Sequence, residues 1–174
     1  MVELVLTVIA RDRPGIVETL AEKVADHSGN WIDSAMSRLG GEFAGVLRVE
    51  IPDEQAAALE QTLAGLAKEG LDITVRRGAA PAPPSGHHVR LALTGLDHKG
   101  IVLEVTRVLA SHGVSIDELQ TNIFTGSMGG EPMFSAHADV VLPDELDTND
   151  LREALERIAS DIMVDIELKE PSGT

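Results

Sequence analysis

The stretch Leu6-Thr7-Val8-Ile9-Ala10-Arg11-Asp12-Arg13-Pro14-Gly15-Ile16-Val17 returns 85 residues later as Leu91-Ala92-Leu93-Thr94-Gly95-Leu96-Asp97-His98-Lys99-Gly100-Ile101-Val102. In both, an apolar run enters a short polar turn, and an apolar stripe at helical spacing follows. Asp12, Gly15, Ile16 and Val17 recur as Asp97, Gly100, Ile101 and Val102. In a chain of 174 residues, such a repeat points to two small domains of one design. Around each turn the patterns run strand, helix, strand, strand, helix, strand, which is the split βαβ or ferredoxin-like unit. The expected class is α+β: two βαββαβ domains in tandem, each an antiparallel sheet with its helices on one face.

In the first copy, Val2, Leu4, Leu6, Val8 and Ala10 alternate as a strand over 2–10, and Ile16, Val17, Leu20, Ala21 and Val24 form the stripe of a one-sided helix. Asp12 is placed to cap that helix, Pro14 suits its first turn, and Gly29 is the expected left-handed cap at its end. Strands over 31–39 and 43–51 flank the hairpin signal Gly40-Gly41. Leu59, Leu63 and Leu66 mark a second helix that Gly70 closes, and a strand follows over 71–75. Residues 78–87 are rich in Pro, Ala and Gly and read as a linker. Domains are thus expected over 1–77 and 88–170. The second copy predicts strands over 88–96, 114–125, 133–142 and 162–168, with helices marked by Ile101, Val105 and Leu109 and by Leu151, Leu155 and Ile158. The offset between copies is 85 at His27/His112, 84 at Gly29/Gly113 and 91 at Pro52/Pro143. That register implies seven extra residues around 124–132 and sets Arg38 against Asn122 and Met36 against Gln120. A long Gly-rich hairpin is either a functional loop or a tolerated surface insertion.

Several function classes fall away on composition. The formal net charge is −15, and each half is acidic: 13 acids and 8 bases up to residue 86, 16 acids and 6 bases after it. Neither half offers the basic surface of a nucleic-acid binder. No cysteine is present, which excludes disulfides, thiol catalysis and cysteine-ligated metal. The aromatic residues are Trp31, Phe43, Phe124 and Phe134, too few for a stacking platform. The six histidines show no metal spacing, and the carboxylates form no nucleophile–base set, so no metal, no cofactor and no enzyme is expected. No run approaches a membrane span, and Met1-Val2-Glu3-Leu4 lacks the basic start of a signal peptide, so the expected location is the cytoplasm. Open sheet edges lead us to expect a homo-oligomer.

The two turns resemble the first strand–helix turn of ACT domains. Three segments extend the likeness: Gly113-Val114-Ser115-Ile116-Asp117-Glu118-Leu119, Gly130-Glu131-Pro132-Met133-Phe134 and Asp161-Ile162-Met163-Val164-Asp165-Ile166. Together they resemble the glycine cleavage system transcriptional repressor family. The resemblance implies a sensor of a small amino acid, glycine first, that modulates a DNA-binding activator of glycine cleavage genes by protein contact. The alternative is an amino-acid-responsive regulatory subunit of a biosynthetic enzyme.

The candidate ligand-binding residues are Asp12, Arg13, Gly15 and Ile16 in the first copy and Asp97, His98, Gly100, Ile101 and Asn122 in the second. A helix start presents free N–H groups and a partial positive charge that suit a carboxylate. Gly15 and Gly100 either serve the turn or also clear the approach to those N–H groups. Asp12 and Asp97 either cap the helices or accept from a ligand ammonium. Asn122 is either exposed strand polarity or a ligand contact facing a neighbouring module. Given the charge and the lack of a reading helix, the isolated protein should give no salt-dependent shift of duplex DNA at physiological ionic strength. A specific gel shift by the protein alone would contradict this.

Overall fold

The computed structural model describes residues 1–78 and 81–170. The chain divides into two compact units, Met1–Ala82 and Pro83–Thr174. Unit 1 runs β1 (Val2–Arg11), α1 (Ile16–Asp26), β2 (Asn30–Leu39), β3 (Glu42–Ile51), α2 (Asp53–Gly65), a 3₁₀ turn (Leu66–Glu69) and β4 (Leu71–Arg77). Its antiparallel sheet has the order β2-β3-β1-β4. Unit 2 runs β5 (His87–Leu96), α3 (Ile101–Ser111), β6 (Ser115–Thr125), β7 (Pro132–Leu142), α4 (Thr148–Ile162) and β8 (Val164–Lys169). Its antiparallel sheet has the order β6-β7-β5-β8. Both are the ferredoxin-like units expected from the sequence.

Side-chain alternation along the central strand explains why the helices share a face. Leu4, Leu6 and Val8 of β1 are fully buried and join Ile16, Leu20 and Val24 of α1 and Ala56, Leu59 and Leu63 of α2 in one core. Val89, Leu91 and Leu93 of β5 do the same with Ile101, Val105 and Leu109 of α3 and Leu151 and Leu155 of α4. The opposite faces carry the polar partners. On the first, Arg48 donates from Nε and Nη2 to both carboxylate oxygens of Asp33 at 2.7 Å and from Nη1 to Glu3 at 3.3 Å, tying β3 to β2 and β1. Among the described residues no charged or polar side chain is buried, and no helix is long and apolar enough to cross a membrane.

Several local expectations are corrected. Asp12 and Asp97 do not cap α1 and α3. The N-cap positions belong to Gly15 (φ 88°) and Gly100 (φ 96°), with no side-chain cap bond, because the chain needs three more residues to turn onto the helix axis. Pro14 accordingly precedes the helix instead of lying in its first turn. Gly29 is not the left-handed residue after α1. Ser28 is (φ 59°), and its counterpart is Gly113 (φ 69°). Gly29 is small for another reason: a Cβ there would stand 2.9 Å from Val24 Cγ1. Ile162 ends α4 and does not begin the last strand, since Met163 turns the chain at φ 54°.

Strand pairing also corrects the register. Trp31 pairs with Val49 and Ile116 with Val140, with a bulge one residue later in both sheets. Ser37 pairs with Ala44 as Asn122 pairs with Ser135, and Arg38 with Phe43 as Ile123 with Phe134. The offset is therefore 85 throughout β2/β6 and 91 in β3/β7, so the second hairpin carries six extra residues, not seven. The counterpart of Asn122 is Ser37, and that of Arg38 is Ile123.

Two stability tests follow. Leu6 is fully buried at the centre of unit 1, so Leu6→Ala should cost about 2–5 kcal/mol in denaturant unfolding. The Arg48 guanidinium, mainly by hydrogen bonding, holds the Asp33 carboxyl below its ordinary value of 3.8. A lowered folded-state pKa makes the pair stabilising above that value, and the contribution fades as pH falls through the lowered one. The stability gap between wild type and Arg48→Gln should therefore be present near about pH 6 and close in strong acid. A gap that widens on acidification would contradict the assignment.

Candidate ligand site at the strand–helix turns

Each turn is built from the backbone outward. In unit 1 the Asp12 N–H donates to Gly41 O at 2.9 Å, holding the turn against the β2–β3 hairpin. In unit 2 the Asp97 N–H donates to Pro132 O at 2.9 Å, at the base of the longer β6–β7 hairpin. Gly15 and Gly100 then reverse the chain in the left-handed region, which side-chain-bearing residues enter at a cost. A Cβ at Gly100 would meet nothing within 4 Å, and one at Gly15 only Glu18 Oε2 at 3.9 Å. The glycines are required by backbone conformation, and the space above them is open.

Intrahelical bonding begins with Thr19 N–H donating to Gly15 O at 2.9 Å and Glu104 N–H to Gly100 O at 3.0 Å. The N–H groups of Ile16, Val17 and Glu18, and of Ile101, Val102 and Leu103, precede those bonds. Ile16 and Ile101 are buried, so their side chains anchor the helix while their backbones face the turn. This arrangement can hold a carboxylate by main-chain donors and the helix dipole.

The side chains around the two turns differ. Asp12 is paired with Arg38, whose Nη1 lies 3.2 Å from Oδ2. At the Arg38 position unit 2 has Ile123, and among the described residues Asp97 makes no ion pair. Glu18 is the acid in the first turn of α1; α3 has Leu103 at that position and its first-turn acid one residue later, at Glu104, whose Oε1 lies 3.2 Å from Arg107 Nη1. Arg13 lies beside Gly70 at the start of β4. His98 reaches the equivalent end of α4, with Nε2 2.9 Å from Ile162 O and Nδ1 3.1 Å from Lys99 O.

Asn122 is not brought to the turn. Its strand partner Ser135 pairs in turn with Thr94 of β5, which places Asn122 on the helix-free face. Thr94 lies three residues before Asp97, roughly 10 Å along the strand. Ser135 Oγ donates to Asn122 Oδ1, which explains the amide as a cross-strand pair. Within unit 2, Asn122 and the Asp97 turn are therefore separate features. The Arg38–Asp12 pair was missed because only the correct register places Arg38 on the helix side, in line with Phe43 and Ala10.

His27 and His112, at the ends of α1 and α3, have structural contacts. His27 Nδ1 lies 2.7 Å from Lys23 O and Nε2 3.2 Å from Thr62 Oγ1, linking α1 to α2. His112 Nδ1 lies 2.8 Å from Val108 O. Among the described residues no His, Asp and Glu group is placed to hold a metal ion.

Comparison with known proteins bears on this geometry. The ACT domain family model matches residues 3–76. The glycine cleavage system transcriptional repressor of Escherichia coli (strain K12) is 30% identical over 118 residues, which cover 67% of this chain and 62% of that protein. The match thus spans less than two thirds of the curated relative. A crystal structure of an unknown protein from Galdieria sulphuraria superposes with a TM-score of 0.88 at 32% identity, over 98% of this chain and 99% of that one. A proposed glycine cleavage system transcriptional repressor superposes with a TM-score of 0.74 at 19% identity, over 99% of this chain and 98% of that one, and so shares the fold. The family model over unit 1, the same topology in unit 2 and the match to the repressor lead to one assignment: unit 1 is an ACT domain, unit 2 repeats its ferredoxin-like fold, and the chain is similar to the glycine cleavage system transcriptional repressor.

Proposed function

We propose that this protein is a non-enzymatic regulator that binds a small amino acid, glycine first, at a strand–helix turn and acts on a DNA-binding transcriptional activator by protein contact. The observation that carries the reading is the pair of glycine-marked helix starts, each with main-chain N–H groups ahead of the first helical bond, in a chain similar to a transcriptional repressor. The acidic charge supports action through a protein and not through DNA directly.

The second turn is the better receptor for a zwitterion. A carboxylate approaching α1 meets Glu18, whose Oε2 would stand 3.9 Å from a Cβ at Gly15, whereas α3 has Leu103 at that position and its first-turn Glu104 is paired with Arg107. An ammonium approaching Asp12 competes with Arg38, whereas Asp97 has no ion-pair partner among the described residues. Asp97 is accordingly the acceptor for the ammonium, the N–H groups from Ile101 onward hold the carboxylate, and His98 braces the turn against α4.

The test is calorimetry with glycine, serine and alanine on wild type, Gly15→Asp, Gly100→Asp and Gly100→Asn. Asp and Asn tolerate the left-handed conformation comparably, so the last two variants separate charge from backbone strain. Gly100→Asp is expected to weaken binding about tenfold or more, or about 1.4 kcal/mol, with Gly100→Asn affected less and Gly15→Asp near wild type. Equal binding by all folded variants would place the ligand elsewhere. Failure of wild type to bind any of the three would remove the sensor reading.

A further inference from the structure

β6 is an edge strand with two unlike faces. It lies at the end of its sheet, and all of its residues but Ser115 are exposed. On the helix side stand Ile116, Leu119 and Ile123, which remain 38%, 44% and 61% exposed. Between Ile116 and Leu119 on one side and Val102, Val105 and Leu109 of α3 on the other runs an apolar groove, with Ile123 beyond its end on the same face. Unit 1 closes the equivalent region from within. Trp31 and Met36, the counterparts of Ile116 and Thr121, pack against its core. Among the described residues of unit 2, β6 supplies no such cover.

The other face of β6 is acidic. Glu118 pairs across the sheet with Asp139, and Asp117 stands in the bulge beside it. The nearby bases are already engaged: Arg90 Nε lies 3.2 Å from Asp139, and His88 Nδ1 3.7 Å from Asp117. Sheet edges are commonly protected by charge, proline or a bulge; β6 has its bulge and carboxylates at the Asp117 end, and its stretch from Leu119 to Thr125 has no charge, no proline and no bulge. Carboxylates disfavour an acidic visitor and favour a basic one, so they act as a filter on what pairs there. A second copy of this chain, itself at −15, is a poor match.

We propose that the outer edge of β6 docks one extended segment of a basic partner protein as a fifth strand. Apolar side chains of the incoming strand cover Ile116, Leu119 and Ile123, and its lysine or arginine side chains lie beside Asp117 and Glu118. Backbone pairing supplies adhesion, and the alternation of side chains supplies selectivity. This rests on the partner half of the reading above and is independent of the amino-acid half.

The probe is a fluorescent peptide of alternating valine and lysine, about eight residues long, within the usual strand range. A matched peptide has glutamate in place of lysine. Anisotropy titration with the full chain is expected to show the lysine peptide binding about tenfold or more tighter. Leu119→Ser and Ile123→Ser, at exposed positions and checked by circular dichroism, should weaken it, and Glu118→Lys should reverse the preference between the peptides. Equal affinity for both peptides, no binding of either, or unchanged affinity in all three folded variants would overturn the proposal. So would a wild-type dimer in sedimentation that Leu119→Ser converts to monomer, because the edge would then belong to a second copy. Glycine titration of the same variants is expected to match wild type. An absence of glycine binding in every protein would count against the sensor alone.

Discussion

The two-residue period of the central strands β1 and β5 is the constraint on which each unit depends. Leu4, Leu6 and Val8, or Val89, Leu91 and Leu93, commit one face of the sheet to burial. The turn that follows must deliver its helix to that face, and the second helix must join it. Hydrogen-bonded pairing then passes the same parity to every neighbouring strand, because residues directly opposite share a face. A slip of one residue in β3 would exchange Leu47 and Val49 for Arg48 and Glu50 and put charge into the core. The Arg48 ion pairs with Asp33 and Glu3 hold that register from the opposite side.

Parity also explains what could and could not be read from the amino-acid order. The elements, their sequence along the chain and the repeated turn were legible because each rests on local spacing. The faces of β2 and β6 were not. Each strand carries a bulge, at Ile32 and Asp117, that interrupts simple alternation. The two glycines at 29 and 113 invite alignment, yet one answers to crowding by Val24 and the other to a left-handed turn. That false equivalence shifted the register by one and misplaced Arg38 and Asn122. The roles of Asp12 and Asp97 were hidden for a different reason. A cap is a local inference, whereas the partner of Asp12 is 26 positions away and comes near it only through the sheet.

The two units share one topology and differ in the side chains along one edge. In unit 1 a tryptophan and a methionine complete the core beside α1, and an arginine occupies the carboxylate at the turn. In unit 2 the corresponding strand carries exposed aliphatic residues, and the carboxylate at the turn has no ion-pair partner among the described residues. Closing these features raises the self-sufficiency of a unit, and leaving them open keeps them accessible. The acidic excess is also larger in the second half, with 16 acids to 6 bases.

The bond from Asp97 N–H to Pro132 O has a mechanical consequence. Pro132 is the first residue of β7 and pairs with Thr125, the last of β6. A load applied along the β6 edge therefore reaches the Gly100 pivot through one strand pairing, one main-chain hydrogen bond and a three-residue lever. Both links are main-chain hydrogen bonding and need no particular side chain.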